Sequence, residues 1–215
     1  ETIKGFHNIR HRFVQWDEAI GRDAADRVKD LTEEIDWIES RRGEMLGFWS
    51  KVEDGTIPTR VTHNDTKINN ILFDKKGGVL CAIDLDTVMN STSLNDFGDA
   101  IRSYANTGEE DDRDLSHVGM SLDMFRAYTE GYLSQRAKQL TEPEIDNLAF
   151  SARYITYEQV LRFLMDYIDG DTYYKIKYPE HNLVRTHAQY ELLRSMEKQY
   201  GTMCDIVRET VAKYR

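Results

Sequence analysis

Hydrophobic positions recur with helical spacing over residues 5–48. Phe13, Trp16, Ala19 and Ile20 stand at i, i+3, i+6 and i+7, and Leu31, Ile35, Trp37, Ile38, Met45 and Leu46 continue as a second stripe. Gly55 and Pro58, in EDGTIPTR, end this pattern. The period then shortens. Residues 69–74 (NNILFD) and 79–86 (VLCAIDLD) are short and apolar-rich, and KKGG separates them, which predicts a β-hairpin. Helical spacing returns over residues 99–106 and 120–137. Thr141-Glu142-Pro143-Glu144 then reads as a capping box with proline in the first turn, expected to open a long helix to about Tyr167. Gly170 closes that helix, tyrosines fill the stretch to Pro179, and a last helix is predicted over residues 187–214. Without a repeat, a low-complexity run or a linker, the pattern predicts one α+β domain, predominantly helical, with an embedded hairpin.

Composition narrows the class. The 215 residues include 12 Tyr, 8 Phe and 3 Trp, enough apolar surface for a sizeable core. Only 3 Pro and 13 Gly punctuate the chain, which favours long helices. No apolar run approaches the length of a membrane span. The net charge of −10 argues against a nucleic-acid binder and implies that a phosphate ligand would come with a metal counter-ion. Two cysteines, Cys81 and Cys204, cannot form a disulfide framework, so a reducing cytoplasm is the expected compartment. The chain starts at Glu1 rather than Met and is expected to be a fragment or a processed product.

The hairpin and its approach hold an unusual density of polar residues, Thr62 to Asn70 and then Ile83-Asp84-Leu85-Asp86. A three-residue turn at Lys76–Gly78 sets Asn70 opposite Asp84; a four-residue turn sets Asn69 there instead. Either register brings an amide and a carboxylate together, and a few oxygen ligands suit Mg²⁺ held jointly with substrate phosphates. Asp65 enters the same strand from a loop, where a carboxylate can orient a hydroxyl nucleophile and accept its proton.

The spacing H-x-D-x-x-x-x-N, followed by a hairpin and a strand-end Asp, resembles the protein-kinase-like phosphotransferases. More narrowly, HNDTKINNILFD with IDLD resembles the aminoglycoside phosphotransferase/choline kinase family. The resemblance implies ATP as co-substrate, Mg²⁺ as cofactor, Asp65 as catalytic base, Asn70 and Asp84 as metal ligands and His63 as a scaffold of the loop. Asp86 is left between a supporting carboxylate and a further ligand, with the supporting role favoured. Downstream, IDLDTVM, DFGDAIR, GDTYY and YPEHNLVR look like the N-acetylhexosamine 1-kinases within that family, as does GFHNIRHRF near the start. That likeness implies phosphorylation of the anomeric hydroxyl of GlcNAc or GalNAc, with Arg162 and Tyr173 as sugar contacts. The alternatives are an aminoglycoside, choline or another alcohol as acceptor, or a binding module without catalysis. Nothing before residue 61 resembles the strand-rich lobe with its glycine-rich loop and phosphate-pairing lysine. Residues 1–215 are therefore expected to be the C-terminal lobe of a kinase-like fold, inactive in isolation and partnered by its own N-terminal lobe. The other expected partners are a small-molecule sugar and a nucleotide, with no nucleic acid and no membrane.

Other features take plainer readings. Asp96-Phe97-Gly98 lies beyond the hairpin and reads as a helix start, with Asp96 as N-cap and Asp99 three residues on, not as a metal site. His7 and His11, spaced i, i+4, are expected on a solvated helix face. Lys67 is expected to be an exposed loop lysine and Glu109–Asp112 a solvated acidic run. Cys81 is expected to be a buried small hydrophobe. Tyr173, Tyr174 and Tyr178 are expected to pack, and His181 either lines the pocket or caps the loop.

Overall fold

A computed structural model describes residues 3–215. The helical N-terminal third is three helices, α1 (Ile9–Arg22), α2 (Thr32–Glu39) and α3 (Arg42–Glu53). Asn8 caps α1 through its side chain on the His11 N–H, and Asp23 in the left-handed region ends it. Phe13, Trp16 and Ala19 turn inward from α1, and Ile38, Met45, Phe48 and Trp49 from α2 and α3. Two antiparallel pairs follow. β1 (Arg60–Thr62) pairs with β4 (Met89–Ser91), and between them β2 (Ile71–Phe73) pairs with β3 (Val79–Ala82) as the hairpin.

The rest is helical: α4 (Ser93–Tyr104), α5 (Leu122–Arg136), α6 (Glu142–Asp146), α7 (Leu148–Ile168) and α8 (His181–Tyr214). Nearly every residue of α7 is buried, so it is the central rod against which α1, α4 and α8 pack. Tyrosine hydroxyls on this rod are not left unpaired. Tyr154 donates to the His7 carbonyl at 2.7 Å and Tyr157 to the Ile38 carbonyl at 2.9 Å. No described helix is long and apolar enough to cross a membrane.

Several expectations change. The capping box at Thr141–Glu144 forms, but it opens only the short α6; the chain is interrupted at Asn147, whose side chain turns back to the Pro143 carbonyl at 2.7 Å, before α7 begins. The last helix starts at His181, six residues early. Its first turn is fastened by buried polar side chains, His181 on Asp111 and Asn182 on Asp166 and Asp171, which leave no hydrophobic signature. Cys81 is exposed, because β3 has nothing over it: Val79 is 69% and Leu80 63% exposed.

Glu144 ties three elements to the approach of the hairpin. Its fully buried carboxylate receives both branches of Arg60 on β1 at 2.7 Å, the Ser93 hydroxyl of α4 at 2.8 Å and the Thr141 N–H at 2.8 Å. Burial alone would raise this carboxyl, but the Arg60 fork and the N–H and O–H donors outweigh it and hold it at about 2. A carboxyl depressed below its ordinary 4.5 stabilises the fold above that pH and loses the contribution as pH falls toward about 2. Glu144→Gln is therefore expected to lose about 2 kcal/mol at neutral pH. Urea unfolding over a pH series should show the gap from wild type closing in that acid window; a gap independent of pH would contradict the charge argument.

Candidate active site

The loop between β1 and β2 is bent by a left-handed Asn64, φ +65°, and held from every side. The Asp96 carboxylate on α4 accepts the His63 N–H at 3.0 Å and the Asn64 N–H at 2.7 Å. The Asn64 amide donates to the carbonyls of Thr62 and Thr87, and the Thr87 hydroxyl donates to the His63 carbonyl at 2.7 Å. Thr66 donates its hydroxyl to the Asp96 carbonyl at 2.6 Å, and the Ile68 N–H reaches the Ser103 hydroxyl. Buried donors and acceptors paired in this way make the loop rigid.

Asp65 stands at the centre of that frame. Its N–H faces His63 Nδ1 at 3.3 Å, while His63 Nε2 lies 3.0 Å from the Ile83 carbonyl. The carbonyl can only accept, so His63 is the Nε2–H tautomer, with Nδ1 taking the Asp65 N–H. The Asn70 amide nitrogen donates to Asp65 twice, at 2.9 Å to the backbone carbonyl and 2.8 Å to Oδ2. Lys67 Nζ is 2.7 Å from the same Oδ2, so this loop lysine, 40% exposed, is also a partner of the central carboxylate.

Of the two expected registers, the hairpin does not take the one that opposes Asn70 to Asp84; its outer pairs follow the alternative that runs toward Asn69 and Asp84, though neither of these two is in the ladder. Ile71 faces Ala82 and Leu72 faces Cys81, but Phe73 faces Val79, so the ribbon carries a bulge near its turn. Asn70 then falls level with Ile83, whose N–H bonds the Asn70 carbonyl at 2.9 Å. Asp84 leaves the ladder in the left-handed conformation, φ +62°, before a short turn over Leu85–Thr87. Such a conformation is tolerated by Asp and Asn and re-aims the side chain away from the strand face.

Asp65, Lys67, Asp84, Asp86, Arg162 and Tyr173 all line one cavity of about 710 Å³. Asn70 and His63 join the group through Asp65. Every site residue read from the sequence thus belongs to one constellation, although Asn70 and Asp84 are not ladder partners. Arg162 donates to Gln159 at 3.2 Å and lies 5.6–5.8 Å from the ring centres of Phe6, Tyr173 and Tyr174. Among the described residues it forms no salt bridge. Tyr173 is 71% exposed, which leaves its ring available to a ligand. The family model for the phosphotransferase enzyme family (APH) matches residues 1–134. The chain belongs to this family.

Membership makes the protein a kinase-like phosphotransferase, and use of ATP and Mg²⁺ goes with the family in general. Asp84 and Asp86 bring carboxylate oxygens to this cavity, donors that suit a hard cation. Among the described residues no group of three or more His, Cys, Asp or Glu is placed to hold a metal by itself.

Several residues of this phosphotransferase were missed, misread or left open in the sequence. Asp96 is not an N-cap. Thr92 caps α4, and Asp96 sits inside its first turns as the acceptor for the loop; burial pushes its carboxyl up, offset in part by the Asn64 and His63 N–H donors. His7 precedes α1, is only 7% exposed, and reaches the loop rather than solvent. The acidic run is engaged, with Glu110 on Arg102 and Asp111 on His181 and Lys177. His181 is fully buried and accepts the Lys177 N–H at 3.1 Å, which makes it a cap of the preceding loop.

Proposed function

We propose that the chain is the C-terminal lobe of an ATP- and Mg²⁺-dependent kinase that phosphorylates the anomeric hydroxyl of an N-acetylhexosamine, GlcNAc or GalNAc. The phosphoryl-transfer part rests on one observation: Asp65, Asp84 and Asp86 share a cavity, with Asn70 locked to Asp65. In this reading Asp65 Oδ2 orients the acceptor hydroxyl and takes its proton. Asn70 has its amide nitrogen turned to Asp65, which leaves the carbonyl oxygen as the end that, with Asp84, holds the cation. Among the described residues no cluster of three or more His, Cys, Asp or Glu could hold a metal alone, and in this reading coordination is shared with the phosphates. A Mg²⁺ held there would neutralise charge on the phosphate oxygens. Asp86 supports Asp84, and His63 fixes the Asp65 backbone. The protein's share of the rate is positioning and charge placement.

The sugar part rests on the resemblance of the downstream segments and on the surroundings of Arg162. A guanidinium that forms no salt bridge among the described residues, framed by the rings of Tyr173 and Tyr174, offers a donor fork and flat apolar faces, which suit a sugar. An N-terminal nucleotide lobe is the proposed partner. The hairpin face supports this, since Leu72, Phe73, Val79, Leu80 and Leu85 lie exposed beside the catalytic loop. A cationic acceptor such as an aminoglycoside or choline is the second reading, favoured by the acidic lining at Asp86, Glu109 and Glu110.

ADP release from Mg²⁺-ATP, by the chain joined to its N-terminal lobe, separates these readings. ADP formed with GlcNAc or GalNAc and not with choline or kanamycin, with the sugar 1-phosphate as product, is the expected result. ADP formed only with choline or kanamycin would replace the acceptor and keep the chemistry. No ADP with any acceptor would leave a binding module.

A further inference from the structure

We propose that His7 is a positioning residue of the catalytic loop, held as a doubly protonated imidazolium between Asn64 and Glu158, and that the Asp65 peptide is clamped only while both ring protons are present. The consequence for catalysis rests on the phosphotransfer reading above; the clamp itself does not.

His7 Nδ1 lies 2.7 Å from Glu158 Oε2 on α7, and Nε2 lies 2.9 Å from the Asn64 carbonyl. A carboxylate and a carbonyl only accept hydrogen bonds. A neutral imidazole has one N–H, so either tautomer would set a lone pair against an acceptor at hydrogen-bond distance. The remaining escape is a protonated Glu158 donating to Nδ1. The surroundings oppose it: burial would raise that carboxyl, but the Arg12 guanidinium beside it favours the ionised form. Arg12 Nε reaches the other oxygen, Oε1, at 3.3 Å. The imidazolium is the state that satisfies every partner.

The clamp acts on the peptide that carries the proposed base. The Asn64 carbonyl and the Asp65 N–H belong to one planar unit. His7 holds its carbonyl end and His63 its N–H end, 3.3 Å away at Nδ1. The two histidines are required in opposite states, His63 neutral and His7 charged. His7 is itself immobilised, since the Tyr154 hydroxyl donates to its carbonyl at 2.7 Å and the Phe6 ring meets its own edge-on. The charged groups facing this site are Glu158 and Arg162 on α7, Arg12 on α1, and Asp96 and Asp99 on α4. Burial disfavours the cation, but Glu158, the Asn64 carbonyl and Asp99 outweigh it and raise His7 above its ordinary 6.5. A raised histidine contributes fully below 6.5 and loses its contribution as pH rises through the folded value, so the clamp releases on the alkaline side.

The direct test uses the wild-type chain. Long-range ¹H–¹⁵N spectra should show protons on both ring nitrogens of His7 at pH 7 and a midpoint above 6.5. Above that midpoint the amide exchange protection of Asn64 and Asp65 should fall by roughly tenfold or more, the effect of losing one charge-assisted hydrogen bond. In His7→Gln, protection should already be low and no longer track that midpoint. In the two-lobed kinase, kcat should fall at the same midpoint with the nucleotide KM unchanged. A neutral His7 at pH 7, or a titration that leaves both amides equally protected, would overturn the proposal. A clamp that behaves as expected without phosphoryl transfer at any pH would support the clamp and remove the kinase reading.

Discussion

Asp65→Asn is expected to lower kcat by roughly 10²–10⁴-fold while leaving the fold and nucleotide binding in place. The substitution is nearly isosteric, and the asparagine Oδ1 can still accept the Asn70 amide that now lies 2.8 Å from Oδ2. The backbone contacts of the loop, through His63 and the Asn70 bond to the Asp65 carbonyl, do not involve the side chain. What is lost is the Lys67 ion pair and the basicity. The pair is partly exposed, 40% at Lys67 and 24% at Asp65, and such pairs contribute about 0–1 kcal/mol. Stability should therefore move by less than about 1 kcal/mol, and Mg²⁺-ADP affinity measured by calorimetry should stay within about twofold of wild type. The separation of kcat from both controls is the signature of a base. Near-normal turnover would sink that role, and an equal loss of nucleotide affinity would make Asp65 a phosphate-side residue instead.

The sequence made the candidate catalytic string legible because its chemistry is local. HNDTKINN is a polar run that no hydrophobic core would use, KKGG marks the turn, and IDLD places carboxylates at the far strand end. Register was not local. The bulge that sets Phe73 against Val79, and the left-handed Asp84 that leaves the ladder, depend on how the ribbon meets the loop. Local grammar also misled. Asp96 followed by Asp99 matches a helix start, but the cap is Thr92, and the Asp96 carboxylate is committed to amides more than thirty residues earlier. His7 and His11 share helical spacing only if both are helical; α1 begins at Ile9, so His7 lies ahead of the cap and turns inward. Cys81 was expected inside because an apolar strand suggests burial, whereas periodicity carries no information on what covers a ribbon. In each case a long-range polar contact, or the lack of a covering element, decided the outcome.

Gly98→Ala is expected to destabilise the protein by about 3 kcal/mol, although the same change in an open helix stabilises it. Gly98 lies within α4, where alanine is favoured over glycine by about 1 kcal/mol on propensity alone. Packing reverses the sign. A Cβ at Gly98 would stand 2.3 Å from the Ser151 carbonyl oxygen, 2.7 Å from its carbon and 2.9 Å from Ile155 Cγ1. The first two atoms belong to the backbone of α7, the buried rod of the fold, so no rotamer change relieves the overlap and α4 must move. Asp96 is half a turn away on the same helix, and it holds the His63 and Asn64 amides. Displacing α4 should therefore loosen the Asp65 loop as well as the core. Gly131→Ala in α5, where the added carbon meets nothing within 4 Å, is the matched control and should be neutral or mildly stabilising. Urea unfolding should give a lower midpoint for Gly98→Ala with an unchanged slope, and amide exchange should show lost protection at Asn64. A stable Gly98→Ala with a protected loop would mean that α4 can slide on α7 without disturbing Asp96. The glycine in Asp96-Phe97-Gly98 would then have no part in holding the site.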